Sequence, residues 1–256
     1  MAFSPSVLFI GGHDPSGGAG LQADIETATA HSCRAFSLVT CLTTQDTNNI
    51  AAIHPQATGD FASQLRCLLR DIRPDVVKIG LIGDLGIAQI LTQELPDLPL
   101  VLDPVLAAGG GTRVADDPLI DLVRDQLAHR THLITPNRAE ARRLTGCQDA
   151  EQAARTLLSA GCPQVLLTGA DEADTDSVSN RLYNENGTQL FNHPLLPHRY
   201  HGSGCTLASA CACNLARGRD IETAVRNALD WTWETLRRAE SRGRGQHLPL
   251  RQIPAP

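Results

Sequence analysis

Lys78 is the only lysine in this chain of 256 residues, so nearly all the positive charge is carried by arginine. Arginine meets an anion with a planar fork where lysine offers a compact point charge, so the shortage narrows which side chains can serve a phosphate. A basic excess is also missing. Against 28 acidic residues there are 22 basic ones, and a net charge of −6 argues against a nucleic-acid surface, which needs a basic stripe. No run of 18 apolar residues occurs, which excludes an apolar membrane-spanning helix. The apolar run at residues 7–10 is too short for a cleavable secretory leader and has no basic stretch before it. The eight cysteines include no Cys-x-x-Cys pair, so reduced, mostly buried thiols are expected in place of a disulfide frame or zinc site. Cys211-Ala212-Cys213 reads as helix packing. A cytoplasmic enzyme or binding protein is the expectation.

What the chain does have is alternation. Residues 7–11 are an apolar run that breaks into Gly12-His13-Asp14-Pro15-Ser16-Gly17-Gly18-Ala19-Gly20, after which Leu21, Ile25 and Ala28 recur on one helical face. Strand, glycine-rich loop and helix in that order hold ligands at the carboxyl edge of a parallel sheet. The spacing is neither G-x-G-x-x-G nor G-x-x-x-x-G-K-[ST], so a dinucleotide or Walker loop does not follow. Further strands are expected at residues 35–42, 76–80, 98–102, 132–135 and 164–168. Helices are expected at 57–70, 83–95, 117–128, 149–160 and 221–240, with another starting at Pro136-Asn137. Residues 178–184 and 188–191 read as a hairpin turned at Glu185-Asn186-Gly187. The pattern implies one α/β domain over residues 1–256, its parallel sheet covered on both faces.

Polar groups gather at the expected carboxyl ends of strands. Thr43-Thr44-Gln45-Asp46-Thr47-Asn48 has the look of a loop, and Gln45 can pair with the donor and acceptor edge of a heterocycle. Asp103-Pro104-Val105 presents a carboxylate to a ligand or metal. Asn137 and Glu140, three apart, either cap a helix or jointly hold a hydrated magnesium ion. Ser16 either caps the first helix or faces a ligand. His201-Gly202-Ser203-Gly204-Cys205-Thr206 runs into an alanine-rich helix, whose first-turn amides and dipole make an anion site. Cys205 stands at that mouth, where a thiol tends toward a lowered pKa. The same stretch also reads as a glycine turn capping a core helix with a small buried cysteine. Phosphoryl transfer needs positioning, charge neutralisation and a proton acceptor, and residues 202–205 can supply the last two.

Taken together, these segments resemble the hydroxymethylpyrimidine/phosphomethylpyrimidine kinases of thiamine biosynthesis, in the ribokinase superfamily. The resemblance covers nearly the whole chain. Residues 12–24, Thr43-Thr44-Gln45-Asp46-Thr47, Lys78-Ile79-Gly80, Leu102-Asp103-Pro104-Val105, Thr135-Pro136-Asn137 with Glu140, and Gly202-Ser203-Gly204-Cys205-Thr206 carry it in that order. It implies a ribokinase-like three-layer α/β/α fold with a mostly parallel sheet, ATP with Mg2+ as donor, and an aminopyrimidine as acceptor. By the same resemblance Gln45 bonds the aminopyrimidine, with Gly12, Asp24 and Val105 in its pocket. Asn137, Thr168 and Gly169 serve ATP, and Asp103 and Glu140 serve the metal. The amides of Gly202, Ser203, Gly204 and Cys205 hold transition-state charge. Cys205 takes the place that related sugar kinases give to an aspartate base. A homodimer is implied, and neither nucleic acid nor membrane is a partner.

Three places depart from the family pattern. Thr168 stands where many members carry a lysine for phosphate, with no arginine adjacent in sequence, and this bears chiefly on the second phosphorylation. His13 replaces a small residue. Gly243-Arg244-Gly245-Gln246 falls short of the common Gly-His-Gly-Pro, so no role transfers to the tail at 242–256, which is expected to be partly flexible or to pack over the nucleotide end. Two alternatives stand beside the leading reading: a pyridoxal or pyridoxine kinase of the same superfamily, and a catalytically silent pyrimidine sensor.

Overall fold

The computed structural model describes residues 4–172 and 176–255. Successive residues of a strand face opposite sides of a sheet, and β1 (Ser6–His13) buries both: Val7 and Phe9 enter one apolar cluster, Leu8 and Ile10 another. The same division runs through β4 (Val76–Ile79), β5 (Leu100–Leu102), β6 (Leu133–Ile134) and β7 (Val165–Leu167). Strands buried on both faces read as unbroken apolar runs and need helices above and below. One cover consists of α2 (Thr58–Asp71), α3 (Leu85–Glu94), α4 (Asp117–Leu122), α5 (Arg138–Thr145) and α6 (Ala150–Ser159). The other consists of α1 (Gly20–Ala30), α7 (Ser203–Ala216) and α8 (Ile221–Arg237). This is the expected three-layer α/β/α arrangement.

Among the described residues, nine strands form one sheet in the order β3-β2-β1-β4-β5-β6-β7-β8-β9. β2 (Arg34–Gln45) and β4 flank β1 in parallel register. After β1 the chain builds outward through β2, then returns to lay β4 on the other side. The crevice beyond the carboxyl ends of β1 and β4 is therefore the switch point at which such sheets take ligands. The sheet is antiparallel only at its two borders. β3 (Ile50–Pro55) pairs back on β2, and the hairpin of β8 (Ser177–Asn184) and β9 (Gly187–Pro194) closes the far side.

Several expectations change. Thr43, Thr44 and Gln45 belong to β2, not to a loop, because the unanticipated β3 extends the ladder along them, with Thr43 opposite Ile53 and Gln45 opposite Ile50. Ile25 is exposed at 42%. Asp24 and Thr27 occupy the buried face of α1 with Leu21 and Ala28 instead. The helix from Ile221 stops at Arg237, three residues short of the expected end. The tail is tied down. Glu240 and Leu248 pair, as do Tyr200 and His247. Gly245 donates its amide to Thr47 Oγ1 at 3.0 Å, and Gln246 donates to the Thr47 carbonyl at 2.8 Å. The Gln246 side chain also reaches the Gly109 carbonyl at 3.1 Å. The tail thus lies across the loops that follow β2 and β5.

His31, at the end of α1, is 1% exposed and meets Trp231 edge-on with ring centroids 4.6 Å apart. Burial pushes its pKa down to about 4, and the bond to the Thr27 carbonyl only partly opposes this. The unfolded chain binds a proton that the folded chain refuses, so His31 costs nothing above its ordinary pKa of 6.5 and erodes stability as pH falls toward 4. Denaturant unfolding at stepped pH should show stability dropping by up to about 3 kcal/mol from this group across that window. The His31→Gln chain should show a flatter slope. An unchanged slope would refute the assignment.

Candidate active site

The loop after β1 is organised by one buried carboxylate. Asp14 Oδ1 accepts the Ser16 amide and hydroxyl, both at 2.8 Å, and Oδ2 accepts the Ala19 amide at 2.8 Å. His201 Nε2 lies 2.7 Å from Oδ2. Burial alone would raise the Asp14 pKa, but the bonds from His201 and Ser16 hold it well below the usual carboxylate range. Ser16 therefore serves Asp14. The N-cap of α1 is Ala19, which makes no side-chain cap.

Through His201 the same carboxylate reaches the start of α7. Gly202 sits in the left-handed region at φ 76°, and a Cβ there would drive into the Gly18 carbonyl oxygen. Only glycine lets the two loops touch. The first intrahelical bond of α7 runs from the Thr206 amide to the Gly202 carbonyl at 3.0 Å. The amides of Ser203, Gly204 and Cys205 precede it, and all three residues line the main cavity.

Beneath the turn lies a charge cluster that is buried but borders the cavity. Alternation along β4 places Lys78 on the face of α1 and α7, where it is 1% exposed and donates to Asp24 Oδ1 at 2.8 Å. Ser209 on α7 donates to the same oxygen at 2.6 Å. Burial disfavours the Lys78 charge, but Asp24, Cys205 and Asp103 outweigh it and raise its pKa, so the ammonium persists. Burial lifts Asp103 to about 6; Lys78 opposes the shift, Asp24 adds to it, and the neighbouring Cys205 thiol eases it as a hydrogen-bond partner. Cys205 itself is pushed up to about 12, by burial first and then by Asp103 and Asp24, against the pull of Lys78. Its resting form is a thiol. Position at a helix mouth suggested a lowered pKa, and the two carboxylates with desolvation reverse it.

A cavity of about 550 Å³ brings together Gly12, Gln45, Asp103, Val105, Asn137, Glu140, Thr168 and the turn from Gly202 to Cys205. His13 lines it too. Three positions are engaged within the fold itself. Asp24 borders the cavity but is fully buried, and its Oδ1 is taken by Lys78 and Ser209. Glu140 closes a capping box: Oε2 accepts the Asn137 amide at 2.9 Å and Asn137 Oδ1 accepts the Glu140 amide at 2.8 Å. Its Oε1 takes the Leu106 amide at 3.4 Å, so each oxygen has a backbone partner, one at the helix cap and one in the loop after β5. Gly169 is packed under the Ser179 carbonyl and gives its amide to Asn180 Oδ1 at 3.2 Å. An arginine does stand beside it in space, since a Cβ on Gly169 would come 3.6 Å from Arg138 Nε.

Sequence reasoning missed Arg251. It is 2% exposed and bonds Thr206 and the carbonyls of Gly17 and Gly18. Nothing local marks it, because its partners are more than 40 residues away in every case.

The profile of the phosphomethylpyrimidine kinase family matches residues 14–251. The chain is 36% identical to the thiamine biosynthesis bifunctional protein ThiED of Geobacter sulfurreducens, over 97% of its own length and 52% of that protein's, so it spans about half of this relative. It is 32% identical to the hydroxymethylpyrimidine/phosphomethylpyrimidine kinase of Synechococcus elongatus, covering 94% of this chain and 95% of the relative. Among solved structures, the ADP complex of Bacillus subtilis pyridoxal kinase superposes with a TM-score of 0.88 at 25% identity, covering 98% of each chain.

Removing one member of a buried ion pair strands the other. Lys78→Met should lower the unfolding free energy by about 3–5 kcal/mol in urea titrations. Adding Asp24→Asn to that chain should recover part of the loss. A single variant as stable as the parent would show that Lys78 does not hold the cluster.

Proposed function

The chain belongs to the phosphomethylpyrimidine kinase family, and from that premise we propose that it transfers a phosphoryl group from ATP to 4-amino-5-hydroxymethyl-2-methylpyrimidine and then to the monophosphate. The observation that carries this reading is one cavity holding both an amide side chain for a heterocycle, Gln45, and an anion-binding helix turn at Ser203, Gly204 and Cys205. Gln45 matches the donor and acceptor edge of the aminopyrimidine, with Gly12 and Val105 lining the same space. The unpaired first-turn amides hold the charge that spreads over the transferring group. Lys78, kept charged below them, adds a fixed positive potential without leaving its seat.

A thiol pushed up to about 12 is not a resting base, so the proton acceptor is the Cys205–Asp103 pair. The hydroxyl proton passes to sulfur as the sulfur's own proton passes to the carboxylate. A loose transition state asks little nucleophilic push, and positioning dominates.

Magnesium fits as an ion that takes most of its ligands from phosphate and water. No cluster of three metal-ligating side chains occurs among the described residues, but the buried Asp103 Oδ2 has no hydrogen-bond partner in the protein. Asp103 would hold the ion through its water shell, which keeps the carboxylate free to take the Cys205 proton, and the ion when bound would neutralise phosphate oxygens. Thr168 brings no charge to the site, so the second transfer depends on other cations. Arg199 lines the cavity.

Incubation with the pyrimidine, magnesium and ATP should release ADP and give mono- and diphosphate by mass spectrometry. Pyridoxal should be the poorer acceptor. Thermal stabilisation by the pyrimidine with no ADP above background would favour a sensor, and a preference for pyridoxal would favour the kinase of that vitamer. Cys205→Ala should lower kcat by at least about 100-fold, in the range of general-base losses, while the nucleotide Kd holds. A parental rate in that variant would remove Cys205 from the proton path.

A further inference from the structure

We propose that Arg251 is a positioning residue for phosphoryl transfer: from the C-terminal tail it locks the glycine-rich loop after β1 against the first turn of α7. The inference rests on the anion-holding role given to that turn above. The guanidinium, whose side chain is 1% exposed, divides its donors between the two segments. Nε donates to Thr206 Oγ1 at 2.8 Å on α7. Nη1 reaches the Gly17 carbonyl at 3.4 Å, and Nη2 donates to the Gly18 carbonyl, both in the loop after β1. Nη1 also meets Glu26 Oε2 on α1 at 3.1 Å.

These acceptors converge on one contact. Thr206 Oγ1, while accepting from Arg251, donates to the Gly202 carbonyl at 2.8 Å, so the guanidinium reaches the left-handed residue of the turn through a single hydroxyl. The Gly18 carbonyl, which accepts from Nη2, is the group that Gly202 packs against. Arg251 therefore grips both sides of the Gly18–Gly202 approach, and His201 with Asp14 grips its flank. Arg251 is not among the residues lining the cavity, so it acts through the turn and not on a ligand. Only a planar fork with five donors can serve these separated acceptors at once, and a lysine cannot. Its charge has a further effect. Three of its partners are neutral oxygens and the fourth, Glu26, is 31% exposed, so positive potential remains behind the amides that hold the anion.

Three measurements on the full chain test the assignment. In Arg251→Ala, kcat should fall about 10- to 100-fold with KM for both substrates within about threefold, as a small misplacement of the charge-holding groups predicts. Millimolar guanidinium, far below denaturing concentration, should restore turnover in that variant and leave the parent unaffected, while Arg251→Lys should stay impaired. Hydrogen exchange at the Thr206 amide, which bonds the Gly202 carbonyl, should quicken in Arg251→Ala and slow again with guanidinium. Unchanged kcat, or a loss that tracks Tm and ignores guanidinium, would reduce Arg251 to a packing residue. Should the parent prove to have no kinase activity, the function above fails. The brace is then decided by exchange and by the Kd for inorganic pyrophosphate: quickened exchange with weaker binding supports it, and no change in either overturns it.

Discussion

The arrangement depends on a positive charge being kept where water cannot reach it. Lys78 on β4 is held by Asp24 from α1, and Ser209 from α7 shares the same carboxylate oxygen. One ion pair thus ties the central sheet to two helices of a single layer. Those helices are the ones that begin at the two loops forming the site. An isolated buried ammonium would lose its proton, but the carboxylates of Asp24 and Asp103 nearby prevent that. Burial disfavours charge on every member, and their mutual attractions decide which keep it. Lysine remains an ion, cysteine remains a thiol, and Asp103 sits between.

Above this cluster the site is built from backbone brought unusually close. The Gly18–Gly202 approach has no room for a side chain, and it sets a loop from the start of the chain against a helix from near its end. Hydrogen bonds on both flanks fix the approach: Asp14 with His201 on one, Thr206 with Gly202 on the other. Amides fixed in this way are aimed in advance and need no reorganisation to meet a charge beside them.

The sheet, its covering helices and the loops at the strand ends were legible in sequence because each is a local pattern: an apolar run, a glycine cluster, a helical period. What escaped was set by distance along the chain. β3 reads weakly by itself, since Ala51, Ala52 and His54 give little strand signal, and it forms because β2 offers it a ladder. Periodicity points Ile25 to the core, but Asp24 takes the inward direction to meet Lys78 from a strand. A helix mouth points to a lowered Cys205 pKa, but burial first, and then Asp103 and Asp24, govern its proton affinity. Glu140 was readable either as a cap or as a ligand, and the Leu106 amide, which sequence does not place, completes its use within the fold.

Arg251 is separated from Gly17 by 234 positions and from Gly18 by 233. During synthesis the amino-terminal elements emerge and pair long before residue 251 exists. The parallel sheet and both helical layers can therefore be in place while the first loop and the turn of α7 still lack their common fastening. Fastening of the first loop to the turn of α7 is then a step of its own, separate in time from formation of the sheet and its covering layers.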